Sequence, residues 1–169
     1  LHGSMISAVD LLKGIGKFSG MRVVEVEGAT GYIDTNFDGK AAAAIAEFRN
    51  GQDFVYIHVE APDECGHRAE VQNKAKAISI IDHKILGPVV AELEKMGDFK
   101  VLVMPDHATP LSLKTHTNDP IPFLIYDSRN PKNGPAISLA DDGVIITEKL
   151  SKLLGVSVGD TISFSYEGK

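Results

Sequence analysis

The chain has 169 residues, 43% of them hydrophobic and 24% charged, with a net charge of -6, which fits one ordinary globular domain. The acidic balance argues against duplex nucleic acid and anionic membranes as partners, because both call for clustered lysine and arginine. A small anionic substrate stays open, since a bound divalent metal inverts the sign of a site locally.

Cys65 is the single cysteine. It excludes intramolecular disulfides and zinc sites built on paired cysteines, and favours a reducing, cytoplasmic setting. No apolar run reaches the roughly 18 residues of a membrane span. The opening Leu1-His2-Gly3-Ser4-Met5 lacks a signal-peptide pattern. It reads either as a foreign extension before a start methionine or as native sequence cut from a longer chain.

In chain order, residues 6–19 read as a short helix with Val9, Leu11, Leu12 and Ile15 on one side, weakened by Gly14 and Gly16. Residues 22–26 are a β-branched strand, and Gly28-Ala29-Thr30-Gly31 is a loop. Residues 38–48 form a helix with an alanine run, closed by Asn50-Gly51. Residues 54–59 have strand length and suit burial on both faces. The polar stretch 60–70 is a loop.

Residues 71–96 read as one long helix, with Ile78, Ile81, Ile85, Val89 and Leu93 as its buried stripe and a bend at Gly87-Pro88. Residues 100–104 are a second buried strand, followed by a loop to Pro120 and a strand over 122–126. Beyond it come a loop at 130–135, a helix over 147–154 and a last strand over 161–166. Strands alternating with helices predict an α/β layer structure with a mostly parallel sheet. In such sheets ligands gather beyond the carboxyl ends of strands.

The chemically loaded residues fall at those ends. Asp63 and His67 follow the strand over 54–59; Asp106 and His107 follow the strand over 100–104; His116 stands in the next loop. Carboxylate oxygens and imidazole nitrogens are ligands for zinc, manganese and related ions. Two metals about 4 Å apart can clamp the attacking and leaving oxygens of a phosphoryl transfer. Each residue alone is ordinary loop polarity; the five together predict a metal centre. His58, inside its strand, reads as core or as a group behind the ligands. His2 and His83 read as solvated.

Two lookalikes fail. Asp34-Thr35-Asn36-Phe37-Asp38-Gly39 opens like an EF-hand loop, but its twelfth position is Ile45 instead of Glu. His58-Val59-Glu60 before Cys65 lacks the paired cysteines of a zinc deaminase. The glycines at 14–16 and 28–31 lack phosphate-loop spacing and read as turns. Lys13 and Lys40 are candidates for phosphate contact, with surface solvation the favoured reading.

Val59-Glu60-Ala61-Pro62-Asp63-Glu64-Cys65-Gly66-His67 resembles the first metal loop of the archaeal type of cofactor-independent phosphoglycerate mutases. Pro105-Asp106-His107-Ala108-Thr109-Pro110 and the stretch Thr115-His116-Thr117-Asn118-Asp119-Pro120 on to Phe123 are similar to its second and third. Ile6 to Leu11 and Gly28 to Gly31 fit the same family, so the resemblance spans about residues 3–126.

That family belongs to the alkaline phosphatase superfamily, which implies a three-layer α/β fold. The resemblance implies that Asp63, His67 and His116 hold one metal and that Asp106 and His107 help to hold a second. Manganese is the favoured ion, with zinc, magnesium or cobalt as alternatives. It further implies interconversion of 3-phosphoglycerate and 2-phosphoglycerate through a phosphoserine.

The family's serine nucleophile, first aspartate and substrate-binding insert have no match here. Ser4, Ser7 and Ser19 show no activating partner in sequence. Residues 1–169 are therefore expected to be the C-terminal part of the metal-binding domain of a longer enzyme, inactive without its N-terminal part. The alternatives are a same-scaffold enzyme of other specificity (homoserine kinase-like or phosphatase) and a non-catalytic domain stabilised by metal.

Overall fold

The computed structural model describes residues 2–129. Strand β1 (Gly3–Ile6) pairs in parallel with β2 (Arg22–Val24) on one side and β3 (Phe54–Ile57) on the other. The order is β2-β1-β3, with Ile6 beside Val24 and Ile57. Helix α1 (Asp10–Phe18) joins β1 to β2, and α2 (Phe37–Arg49) joins β2 to β3. Right-handed crossovers that run in opposite directions along the sheet, from β1 to β2 and then from β2 past β1 to β3, place the two helices on opposite faces.

Side-chain alternation along β1 agrees with that placement. Met5 faces α1 so closely that a Cβ on Gly16 would lie 3.1 Å from the Met5 Cβ. Ser4 and Ile6 face α2: the Ser4 hydroxyl donates to Glu47 Oε2 at 2.5 Å, and Ile6 joins Phe37, Ala41 and Ala44 in the core. The expected α/β layering around a parallel sheet is therefore present.

Several local expectations are corrected. The stretch read as a helix over 6–19 opens on Ile6, the last residue of the unexpected strand β1, and the helix starts only at Asp10. Four residues are too few to reveal a period; pairing on both edges decides that they are a strand. The strand over 54–59 is open on one face, with Phe54 49% and Tyr56 36% exposed. Helix α1 packs on β1 and β2, and α2 on β1 and β3, so the side of β3 away from α2 stays open.

Strand β4 (Lys100–Val103) is likewise half-open. It pairs with β5 (Leu124–Asp127) in an antiparallel ribbon separate from the parallel sheet. An antiparallel return needs no crossover helix, so the residues between them are free to carry functional loops.

The expected polar loop at 60–70 contains a short helix, α3 (Ala61–His67), with Pro62 in its first turn, where a missing N–H costs nothing. The expected single helix over 71–96 is α4 (Val71–Ile81), a π turn (Asp82–Leu86) and α5 (Gly87–Met96). Pro88 has no N–H to give and its ring crowds the preceding turn. The chain widens there, and the Gly87 N–H reaches back to the Asp82 carbonyl.

The π turn also shifts the buried stripe. Ile85, Val89 and Leu93 are buried as expected, but upstream Ala77 is buried while Ile78 is 45% exposed. No helix among the described residues is long and apolar enough to cross a membrane. The loop at 130–135, the helix over 147–154 and the strand over 161–166 lie outside the described residues.

Candidate metal centre

Because α3 is helical, Asp63 and His67 stand one turn apart on the same face, as i and i+4. Their side chains meet, with His67 Nε2 at 3.3 Å from Asp63 Oδ2. His116 closes the group: its Nε2 is 3.3 Å from Asp63 Oδ1 and 3.0 Å from His67 Nε2. The loop after β4 supplies the rest. An isolated antiparallel bridge between Ala108 and Thr117, closed by the Thr117 N–H on the Ala108 carbonyl, sets His107 alongside His116. Their rings lie 3.7 Å apart, centre to centre.

The tautomers follow from the second partners of the rings. His67 Nδ1 lies 2.9 Å from the backbone carbonyl of Lys114. A carbonyl only accepts, so Nδ1 carries a proton there, and Nε2 is the nitrogen turned toward Asp63 and His116. Thr109 does the same for His107. Thr109 is buried, and its hydroxyl donates to Asp63 Oδ1 and lies 3.3 Å from His107 Nδ1. Having given its hydrogen to Asp63, the oxygen accepts from His107 Nδ1–H. His107 Nε2 faces Asp106 Oδ2 at 3.3 Å. Imidazole nitrogens thus face carboxylates twice over, a donor set of the type that holds divalent cations.

Burial works to raise the Asp63 pKa, but the Thr109 hydroxyl and the nearby His67 and His116 outweigh it and hold the carboxyl below its usual range. Burial raises Glu60, with neighbouring Glu64 adding to it. His58 is held below the ordinary histidine value by burial, against the pull of Asp106.

All five residues expected at the site are brought together, as one continuous cluster: Asp106 reaches it through His107, and Asp63, His107 and His116 bring donor atoms within 4.8 Å of one another. Thr109 and Lys114 were not singled out from sequence. Thr109 stands two residues after His107, and that adjacency was its only signal.

Other expectations change. Lys40 is buried, not solvated: it is 1% exposed, its Nζ donates to the His58 carbonyl at 3.0 Å, and burial draws its pKa down against the pull of Glu60. Lys13 pairs with Glu25 at 2.7 Å. Ser4 and Ser7 do have partners, Glu47 and His58, and both serines are buried. His2 and His83 are exposed, as expected.

A carboxylate–imidazole cluster at the carboxyl ends of β3 and β4, beside a parallel α/β sheet, defines a metal-dependent α/β domain. The chain belongs to the Metalloenzyme superfamily, whose sequence pattern matches residues 1–154. Membership and cluster together point to use of a divalent metal.

Among similar proteins is the 2,3-bisphosphoglycerate-independent phosphoglycerate mutase of Methanosarcina acetivorans, 54% identical over 132 residues, or 76% of this chain and 33% of that protein. The enzyme of the same name from Methanosarcina mazei is 45% identical over 161 residues, 92% of this chain and 40% of its own length. The chain therefore spans between a third and two-fifths of these relatives. The solved structure of the PH0037 protein from Pyrococcus horikoshii superposes with a TM-score of 0.68 at 32% identity, covering 75% of this chain and 37% of that one.

Proposed function

We propose that residues 1–169 form the C-terminal part of the metal-binding domain of a phosphoryl-transfer enzyme that interconverts 3-phosphoglycerate and 2-phosphoglycerate. Asp63, His67 and His116 hold one divalent ion, and Asp106 and His107 contribute to a second. Manganese is the favoured ion, with zinc, magnesium or cobalt as alternatives.

One observation carries the metal assignment. The His67 and His116 Nε2 atoms stand 3.0 Å apart, and each lies 3.3 Å from a different oxygen of the Asp63 carboxylate, with His67 Nε2 aimed inward by the Lys114 carbonyl. Donors around a single ion at ordinary bond lengths of about 2.0–2.1 Å sit about 2.9–3.4 Å from one another. Once bound, divalent ions would polarise a phosphoryl oxygen and lower the pKa of an attacking hydroxyl.

The names of the relatives support the substrate. The nucleophilic serine belongs, in this reading, to an N-terminal part of the longer enzyme, and mutase turnover requires that part. Ser4 and Ser7 fit this, since both are buried and hydrogen-bonded away from solvent.

Calorimetric titration of the chain with Mn(II) and Zn(II), beside His67→Ala, tests the site. Tight binding that is lost or sharply weakened in the variant is expected. Equal affinity and stoichiometry in both would remove His67 from the ligand set.

A further inference from the structure

We infer that His58 is a positioning residue for Asp106, acting through a line Ser7–His58–Asp106 in which its Nε2–H, not a lone pair, faces the carboxylate. This rests on the reading of Asp106 as a metal ligand.

The backbone of His58 is tied on both sides. Its N–H donates to the Ile6 carbonyl of β1 at 2.8 Å, and its carbonyl accepts from the buried Lys40 of α2 at 3.0 Å. The ring therefore leaves the end of β3 from a fixed base, between Ser7 and Asp106. Nδ1 lies 3.3 Å from Ser7 Oγ, and Nε2 lies 4.0 Å from Asp106 Oδ2.

Ser7 decides the tautomer. It is 3% exposed, and its oxygen accepts the Val9 N–H at 3.0 Å. A buried hydroxyl hydrogen needs an acceptor, and the His58 ring nitrogen is the partner at hand. Ser7 thus donates to Nδ1, which leaves the ring proton on Nε2, pointing at Asp106. His67 and His107 differ in that their Nδ1 atoms are the ones that donate, to the Lys114 carbonyl and the Thr109 hydroxyl.

The consequence is a held carboxylate. Asp106 Oδ1 accepts the backbone N–H of His107 at 3.0 Å. Its Oδ2 lies between His107 Nε2 and the His58 N–H. At 4.0 Å the His58 coupling is charge–dipole in character or passes through one water. Either way it steadies the rotamer of a side chain that is otherwise 52% exposed. Such outer partners of ligating carboxylates govern affinity by pre-organisation.

Two measurements test the inference. Long-range proton–nitrogen NMR of the wild-type chain at neutral pH is expected to show His58 protonated on Nε2. A proton on Nδ1 overturns the inference whatever the metals do. In Mn(II) titrations, His58→Phe is expected to weaken binding by about 10–100-fold, and His58→Gln, whose amide N–H can replace Nε2–H, to recover most of that loss.

Asp106→Ala separates this inference from the reading beneath it. If Asp106→Ala binds Mn(II) like the wild type, the ligand assignment fails. If Asp106→Ala loses affinity while His58→Phe does not, or while His58→Gln fares no better than His58→Phe, the positioning role fails.

Discussion

The Nδ1–H of His67 donates to the carbonyl of Lys114 at 2.9 Å, and Lys114 presents that carbonyl from a left-handed backbone conformation, φ 55. A lysine pays a steric cost there that a glycine does not. Lys114→Gly is expected to leave metal affinity within a few-fold of wild type and to change stability by less than about 1 kcal/mol. Lys114→Pro forces a negative φ and deletes the N–H that now bonds Pro110 at 2.9 Å. It is expected to weaken Mn(II) binding about ten-fold or more in calorimetry. Equal affinity in the proline variant would mean that the carbonyl does not orient His67.

Thr109 joins the two halves of the cluster through one hydroxyl shared by Asp63 and His107. Thr109→Val keeps the shape and removes that oxygen. Metal affinity should fall about 10–100-fold, with Thr109→Ser restoring most of it. Circular dichroism checks that both variants fold.

Gly66 lies in α3 against the loop that carries Thr109. A Cβ there would sit 2.6 Å from the Thr109 carbonyl oxygen and 2.8 Å from Lys74 Nζ, which itself donates to that carbonyl at 2.9 Å. Gly66→Ala must push the loop away. Urea unfolding should register a loss of about 1–3 kcal/mol, and metal affinity should fall with it. An alanine variant as stable as wild type would show that the loop yields freely.

Lys40 links stability to pH. Burial depresses its folded pKa below the ordinary 10.5, with Glu60 opposing and Lys13 assisting. Below the folded value both states carry the proton, and the cost of burying the charge is present in full. Between the folded value and 10.5 only the unfolded chain holds the proton, so rising pH favours the folded state. Urea unfolding of wild type and Lys40→Met from neutral pH to about pH 10 should show the difference moving in favour of wild type. A constant difference would mean that Lys40 titrates normally.

Much of this was legible in residues 60–120. Asp63, His67, Asp106, His107 and His116 were singled out because ligand-type side chains recur after strand-like runs, and the structure brings them together. The helix beneath Asp63 and His67 was missed, because Pro62 and Gly66 read as loop formers and seven residues give no period. Lys40 was misjudged because lysine is ordinarily exposed; its burial depends on the His58 carbonyl, 18 residues away in the chain.

The sequence by itself determined which ligand-type side chains are present, their order and the alternation of strands with helices, since these depend on residue type and local pattern. Tertiary structure decided which nitrogen of each histidine carries the proton. That choice belongs to distant partners: Thr109 reaches Asp63 across 46 positions, Lys114 reaches His67 across 47 and Ser7 reaches His58 across 51. A hydrogen bond has a direction, and the direction exists only once the sheet order and the loop bridge have set donor opposite acceptor.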